Sequence, residues 1–310
     1  MNSTVQNNVA VLGLETSYLT DGRTFNEFRL RDAINGRELQ AASGLRKTWQ
    51  VAEGIWVGGS FENTKAFGGL AGSNSTAITG TVEYAPDPRY RLYASAEVRA
   101  ADSGDSYINT LGFAYKIDKD WSMLGRSTIS MQKTNSDHSS LLQSRQQIGF
   151  AWRQVDIDRW NALGRYEYNL KDAVGGAAPL KDESHTVSLH VNYQPEPAFI
   201  ASGRYAFKWG RETDPLLTTD FKAHLLYGRV TRDLTRDLDL SLQAAYTWGQ
   251  GSARKYAVGL EVGYHVVSNL WFSIGYNVAG FRDDALTGGE YLNRGVYLRL
   301  RYKFDERLFK

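Results

Sequence analysis

The segment RGVYLRLRYKF, residues 294–304, carries a basic residue at every second position near its end, with apolar residues between. The basic positions are Arg299, Arg301 and Lys303. Successive side chains of a β-strand point to opposite faces, so this spacing predicts a strand with one cationic and one apolar face. A basic side chain that faces lipid at the bilayer midplane costs about 2–4 kcal/mol. In a membrane strand the three cations must therefore face a water-filled interior.

The same alternation places a larger set of charged residues on the face opposite the apolar one. Basic residues outnumber acidic ones in this set, so an open interior would mildly favour anions. The alternative is a ladder of cross-strand ion pairs that stabilises the wall. We predict that the following residues line the interior: Arg29, Arg31, Arg46, Arg91, Arg99, Arg126, Arg165, Arg204, Lys208, Glu261, Arg299, Arg301 and Lys303.

The sequence contains no recognisable catalytic or metal-binding motif. Its five histidines are scattered over different segments, cysteine is absent, and HExxH and GxSxG do not occur. The acidic clusters DKD, DID and RDD are typical of turns in which Asp side chains bond nearby backbone. We therefore predict that the chain is not an enzyme and uses no metal or other cofactor. An enzyme whose site is assembled across several strands is the alternative that motifs cannot detect.

The composition limits the class of protein that can carry these residues. The 310 residues include 13% aromatics, 30 Gly and only 6 Pro, and the mean hydropathy is −0.43. No window approaches eighteen consecutive apolar residues, which excludes a bundle of membrane helices but not membrane strands, because barrel strands dilute their apolar residues with polar ones. The net charge of +2 comes without a clustered basic face, so we predict no nucleic-acid partner.

Strand-like segments repeat along the whole chain. Segments of roughly ten residues, rich in Val, Leu, Tyr, Phe and Trp, are separated by turn clusters of Gly, Asp, Asn, Ser and Pro. We predict an all-β fold, a single antiparallel transmembrane β-barrel. Seventeen segments can be marked, but single-chain bacterial barrels have an even number of strands, so we predict about sixteen strands, with eighteen as the alternative. Residues 1–22 would be an extra strand, a lumen segment or a linker, and residues 23–310 the barrel.

Connections between the segments alternate in apparent length, which predicts short periplasmic turns and longer extracellular loops. The segment KDAVGGAAPLKD, residues 171–182, is the candidate for a loop folded into the lumen. Aromatic residues cluster where segments meet turns, and amphipathic rings favour the depth of the lipid headgroups. We predict that these aromatics lie at the two membrane interfaces: Tyr84, Trp121, Trp152, Trp160, Tyr193, Trp209, Trp248, Trp271 and Phe281.

Several segments resemble the C-terminal barrel region of large bacterial outer-membrane surface proteins. They are DRWNALGRYEY, GREL followed by GLRKTW, and LWFSIGYNVAGFRD followed by YLNRGVYLRLRYKFDERLF. Other domains often precede the barrel in such proteins, so the resemblance implies an anchor or conduit for upstream domains of the same polypeptide. It names no substrate. A last strand that ends in aromatics, here Tyr302 and Phe304, is similar to the signal read by the barrel-assembly machinery.

The sequence therefore predicts a passive protein of the Gram-negative outer membrane, in contact with outer-membrane lipid. Sixteen strands normally leave an aqueous interior, which favours a pore, and the resemblance favours an anchor or conduit. The first residues lack the basic and apolar regions of a signal peptide, so we expect an exported form to be the mature chain. A soluble β-rich binding protein is the remaining alternative.

Overall fold

The computed structural model describes residues 8–18, 22–33, 36–68, 74–176, 179–250, 252–267, 270–281 and 292–302. All regular secondary structure in these ranges is β-strand, and they contain no helix that could span a membrane. The strands are β1 (Asn8–Tyr18), β2 (Gly22–Ala33), β3 (Gly36–Ala52), β4 (Ile55–Gly68), β5 (Ser75–Asp87), β6 (Tyr90–Ala101), β7 (Gly104–Lys116), β8 (Trp121–Thr134), β9 (Ser140–Arg153), β10 (Trp160–Val174), β11 (Leu180–Glu196), β12 (Phe199–Thr213), β13 (Thr218–Asp233), β14 (Leu238–Gln250), β15 (Ser252–Val267), β16 (Leu270–Ala279) and β17 (Gly295–Tyr302).

Each strand pairs antiparallel with the next one in the chain, from β1–β2 through β16–β17. The result is one meander sheet of 17 strands. The predicted all-β antiparallel fold is confirmed, and it is consistent with the predicted barrel. The strand count falls between the sixteen predicted and the alternative of eighteen.

The extra strand comes from the N-terminal segment whose role the sequence left open. Residues Asn8–Tyr18 form β1 and pair along their whole length with β2; the boundary at residue 22 stays a prediction. Because neighbouring strands alternate in direction, β1 and β17 run the same way. No pairing or contact between these two strands occurs within the described ranges.

The sheet is strongly curved, as hydrogen bonds between distant strands show. Strands β14 and β17 are separated by two others, so they would lie about 14 Å apart in a flat sheet. The side-chain amide of Gln243 on β14 nevertheless donates to the hydroxyl of Tyr297 on β17 at 3.2 Å. The sheet must curl around the face that carries these two side chains. We call this the concave face and the opposite one the convex face.

The convex face carries exposed apolar side chains at alternate positions of its strands. Leu111 on β7 is 49% exposed and Leu226 on β13 is 56% exposed. Soluble proteins rarely expose contiguous apolar patches larger than a few hundred Å², whereas a lipid-facing barrel wall requires a continuous apolar band. Other large side chains exposed on this face are Ile78, Val98, Val187, Leu189, Leu242, Leu260, Ile274 and Leu298.

Most connections at the end predicted to be extracellular are shorter than expected. Strand β14 ends at Gln250 and β15 begins at Ser252, and the connections 102–103, 135–139 and 214–217 are tight turns. Strands continue through segments rich in turn-forming residues, which is why the connections are shorter than the sequence suggested. The one long connection among them runs from 280 to 294, between β16 and β17.

The segment KDAVGGAAPLKD does not form a lumen loop, and that prediction is corrected. Residues 171–174 continue β10, and residues 180–182 begin β11. The turn between them includes Gly175 and Gly176, with φ of 78° and 71°. Both conformations are in the left-handed region that glycine tolerates, which lets the chain reverse sharply where the sequence suggested a long loop.

Replacing Gly54 with alanine should destabilise the protein by about 1–2 kcal/mol. This glycine lies in the turn between β3 and β4 with φ of 70°, and an added Cβ would lie 2.4 Å from the Cα of Pro86. The free energy of unfolding can be measured by reversible guanidinium unfolding of the protein in lipid vesicles, with tryptophan fluorescence as the signal. Gly80→Ala is the control, because a Cβ there meets no atom within 4 Å. Equal stability of the two variants would contradict the prediction.

Candidate functional site

The concave face carries the predicted interior residues whose side chains the structure describes. The pairing register places them on this face together with the buried Gln243: Arg46, Arg91, Arg99, Arg126, Arg165, Arg204, Lys208, Glu261 and Arg299. For three others, Arg29, Arg31 and Arg301, only the backbone position in β2 or β17 is described, and Lys303 lies outside the described ranges. Whether the set lines water stays a prediction.

Many of these charges form ion pairs along the wall, as the cross-strand alternative predicts. The guanidinium of Arg91 on β6 lies 2.7 Å from Glu83 on β5. Arg99 on β6 lies 3.0 Å from Glu62 on β4 and 3.1 Å from Glu97. The Arg99–Glu62 contact skips one strand, a distance that two long side chains can span. The ladder and an open interior are thus compatible, because paired residues on one wall need not fill the space between walls.

The concave face of β13–β17 is closed off from solvent by a polar network. The Glu261 carboxylate, 3% exposed, accepts hydrogen bonds from Arg229 at 2.9 and 3.3 Å and from the Tyr297 hydroxyl at 2.8 Å. Arg299 lies 3.9 Å from the same carboxylate, and Asn277 accepts from Gln243 at 2.9 Å. Glu261 was predicted to line the interior. It lies on the predicted face, but its neighbours separate it from solvent.

An apolar cluster on the same sector includes the two ends of the long β16–β17 connection. Phe281 is 7% exposed and Leu292 is 3% exposed, and their backbones are joined by a hydrogen bond of 2.9 Å. Both pack with Leu225, Tyr227 and further small residues of the concave face. We call β13–β17 with this cluster the sealed sector, because its inner surface is packed rather than open.

Two of the nine predicted interface aromatics lie among side chains of the concave face. Phe281 belongs to the apolar cluster of the sealed sector. Trp271 shares the concave face of β16 with the buried Ser273 and stacks on His265 at 4.5 Å between ring centroids. A position beside a turn does not specify a face, and the interface role of these two residues stays a prediction.

The other seven predicted aromatics lie on the convex face at the two ends of the sheet. At the short-turn end, Trp121 and Trp152 have centroids 6.3 Å apart, and Trp160 stacks on Tyr193 at 4.2 Å. Tyr84 packs against Tyr90 at the same end. At the opposite end Trp209 stacks on His185 at 5.1 Å and Trp248 on His224 at 5.0 Å. Two aromatic belts are typical of barrel interfaces, and location at headgroup depth stays a prediction.

The acidic cluster DKD bonds nearby backbone, as predicted, DID pairs with a neighbouring arginine, and RDD lies outside the described residues. Asp118 accepts from the backbone N–H groups of Asp120 at 2.7 Å and Trp121 at 2.8 Å. Arg153 donates to both oxygens of Asp158 at 2.8 Å, and this guanidinium lowers the pKa of the Asp158 carboxyl below its usual value. Within the described ranges no group of three or more His, Cys, Asp or Glu could hold a metal ion.

An open polar cleft lies on the concave face of β8–β11, and three of its lining side chains donate to the buried carboxylate of Glu167. Glu167, 8% exposed, accepts from Arg145 at 3.0 Å, from Asn169 at 2.8 Å and from Gln147. The cleft has a volume of about 400 Å³. Side chains on the concave face that line it are Arg126, Thr128, Ser130, Gln143, Arg145, Gln147, Asn169, Lys171 and Asp182. We call it the β8–β11 cleft.

A sequence repeat positions three arginines of the concave face, and the sequence reading missed it. The segments WSMLGR, WNALGR and FIASGR begin at residues 121, 160 and 199, which are spaced by 39 residues, and they end in Arg126, Arg165 and Arg204. Arg126 on β8 pairs with Gln147 on β9. Arg165 on β10 pairs with Gly149, which is two residues further along β9. A shift of two residues over two strands corresponds to a strand tilt of about 35°, as in barrels. The arginines therefore lie at one height.

The predicted assembly signal lies at the boundary of the described chain. Tyr302 is the last residue of β17 and pairs with Leu270 in the register, and nothing is described beyond its backbone. Phe304 lies outside the described ranges. Recognition by the barrel-assembly machinery and contact with upstream domains stay predictions.

No protein-family model and no curated protein matches the sequence. Among solved structures, the bacterial polysaccharide outer membrane secretin is 11% identical and gives a TM-score of 0.45 over 87% of this chain and 92% of that chain. The unliganded ferric citrate transporter FecA is 11% identical and gives a TM-score of 0.49 over 77% of this chain and 48% of that chain. The outer-membrane expressed OmpT of Vibrio cholerae is 9% identical and gives a TM-score of 0.39 over 75% of this chain and 89% of that chain.

Proposed function

We propose that this chain is a passive pore of the bacterial outer membrane. The observation that carries the proposal is the distribution of side chains on the two faces of the curved sheet. The convex face is apolar and exposed, whereas the concave face is polar and charged. A sheet with this polarity is stable where lipid surrounds it and water fills it.

The concave face is packed with buried side chains in one part and open in another, and this difference suggests where solutes would pass. The sealed sector offers packed side chains, so solutes would pass along the wall of β3–β12. That wall carries the arginines at one height, Arg126, Arg165 and Arg204, and the pairs Arg91–Glu83 and Arg99–Glu62. The ion pairs add no net charge, but positive charge fixed by the three arginines raises the local concentration of anions at this wall. We therefore expect a weakly anion-selective pore that needs no energy source.

Steady conductance in a planar lipid bilayer tests this proposal. The purified chain, refolded in detergent, should open channels that stay open at low voltage. A tenfold KCl gradient should give a reversal potential of the sign expected for anion preference. A chain that stays monomeric in detergent-free buffer would contradict the membrane assignment and favour a soluble binding protein. A chain that inserts and never conducts would contradict the pore.

The second candidate is a membrane anchor or conduit for other domains of the same polypeptide. The sealed sector favours it, because the packed interior of β13–β17 narrows the space that a solute could use. The sequence resemblance points the same way. An anchor should insert into bilayers and conduct poorly, and it should retain a fused upstream domain in the outer-membrane fraction of cells.

A further inference from the structure

We propose that the β8–β11 cleft binds a small hydroxylated anion, such as a sugar acid or a sugar phosphate, as it crosses the pore. This inference rests on the proposed pore function and names the class of solute. It stands on three features of the cleft: its positive charge, its fixed hydrogen-bond donors, and one buried acceptor without a partner.

The charge of the cleft favours an anion. Arg126 and Lys171 line it, and within the described ranges neither has an ion-pair partner or hydrogen-bond partner. Arg145 also lines it and is held by Glu167 at 3.0 Å. A guanidinium presents five N–H donors, so Arg145 keeps donors for a ligand after binding Glu167. Arginine geometry fits the two oxygens of a carboxylate or phosphate.

Two neutral side chains of the cleft, Asn169 and Gln147, are held in place before any ligand binds. Glu167 accepts from Asn169 at 2.8 Å and from Gln147, which orients both side-chain amides. Thr128, Ser130 and Gln143 complete the concave lining. Groups oriented in advance lose less conformational entropy on binding, so their hydrogen bonds contribute more to affinity.

Asp182 would make the cleft prefer an anion that carries hydroxyl groups over inorganic phosphate. Its Oδ1 atom is buried and has no hydrogen-bond partner, although Lys171 lies directly opposite it in the pairing of β10 and β11. A buried acceptor without a donor is costly, and a hydroxyl group would satisfy it. Its negative charge would repel inorganic phosphate, whereas a ligand with hydroxyls at one end and a charge at the other fits both parts of the cleft.

The lining offers no aromatic ring, so stacking on a nucleobase is unavailable there. The volume of about 400 Å³ falls at the lower end of small-molecule sites and suits one or two sugar units. Binding must also be weak, because a pore that holds its solute tightly stops conducting. We therefore expect millimolar binding that appears as brief interruptions of the current.

Single-channel recording with defined solutes tests the cleft. Glucuronate and glucose 6-phosphate should each interrupt the current, and which of them is stronger distinguishes carboxylate from phosphate. Glucose and inorganic phosphate should act at least tenfold more weakly. In the double variant Arg126→Gln, Lys171→Gln, the interruptions should weaken about tenfold or more, since hydrogen bonds to charged groups are lost. Asp182→Asn should narrow the difference between glucuronate and inorganic phosphate.

Lys181→Gln is the matched control, because Lys181 neighbours Asp182 on β11 but lies on the convex face. It should leave the interruptions unchanged, and equal conductance of all variants confirms that they fold. Channels that open normally but respond equally to all four solutes, or equally in the double variant, would overturn the cleft proposal and leave the pore intact. The absence of any channel would instead overturn the pore.

Discussion

Glu261→Ala should destabilise the protein by about 3–5 kcal/mol, the cost of removing one partner from a buried ion pair. Glu261 is 3% exposed, and its carboxylate faces the Arg229 guanidinium at 2.9 Å. The same carboxylate accepts from Tyr297 at 2.8 Å. The variant would therefore leave a guanidinium that is only 14% exposed and a buried hydroxyl without this acceptor. Guanidinium unfolding in lipid vesicles, followed by tryptophan fluorescence, measures the change.

Glu83→Ala is the control for Glu261→Ala. It removes a carboxylate from an ion pair whose N···O distance is similar but whose arginine is exposed to solvent. Glu83 lies 2.7 Å from Arg91, whose side chain is 63% exposed. Exposed pairs contribute about 0–1 kcal/mol. Equal losses in the two variants would contradict a closed interior in β13–β17 and would imply that water reaches Glu261.

Leu111→Arg should destabilise the protein in a membrane by about 2–4 kcal/mol, the cost of a basic side chain at the bilayer midplane. Leu111 lies near the middle of β7 on the convex face and is 49% exposed. In a soluble protein an exposed leucine tolerates arginine with little cost. The experiment therefore tests the environment of the convex face, measured by the same unfolding assay and by the yield of refolding into vesicles.

Thr110→Arg is the matched control, since Thr110 is the neighbour of Leu111 on the concave face. The same side chain, added one position earlier in the same strand, should cost far less if that face is solvated. Register supports the assignment, because Thr110 lies opposite Thr128, which lines the β8–β11 cleft. The membrane assignment would not survive a result in which Thr110→Arg is the more damaging variant.

Local periodicity was sufficient to assign residues to faces. Side chains alternate along any strand, so the spacing of Arg299 between Leu298 and Leu300 fixes opposite faces wherever the strand lies. This explains why the described members of the predicted interior set share the concave face. The fold class followed from the same signal, repeated over segments with no helical stretch between them. The 39-residue repeat was equally readable in the sequence and would have placed Arg126, Arg165 and Arg204 at one height.

The tertiary structure alone decided which residues meet, because pairing register and curvature depend on strands far apart in the sequence. Gln243 and Tyr297 meet only because the sheet curls, and Glu261 is buried only because β13, β15 and β17 converge on it. The packing of Phe281 and Trp271 on the concave face likewise depends on distant strands, whereas their proximity to a turn is local. The sequence determined the two faces, since alternation is a property of a single strand. The sealed sector and the β8–β11 cleft arise from contacts between strands, which no single segment can specify.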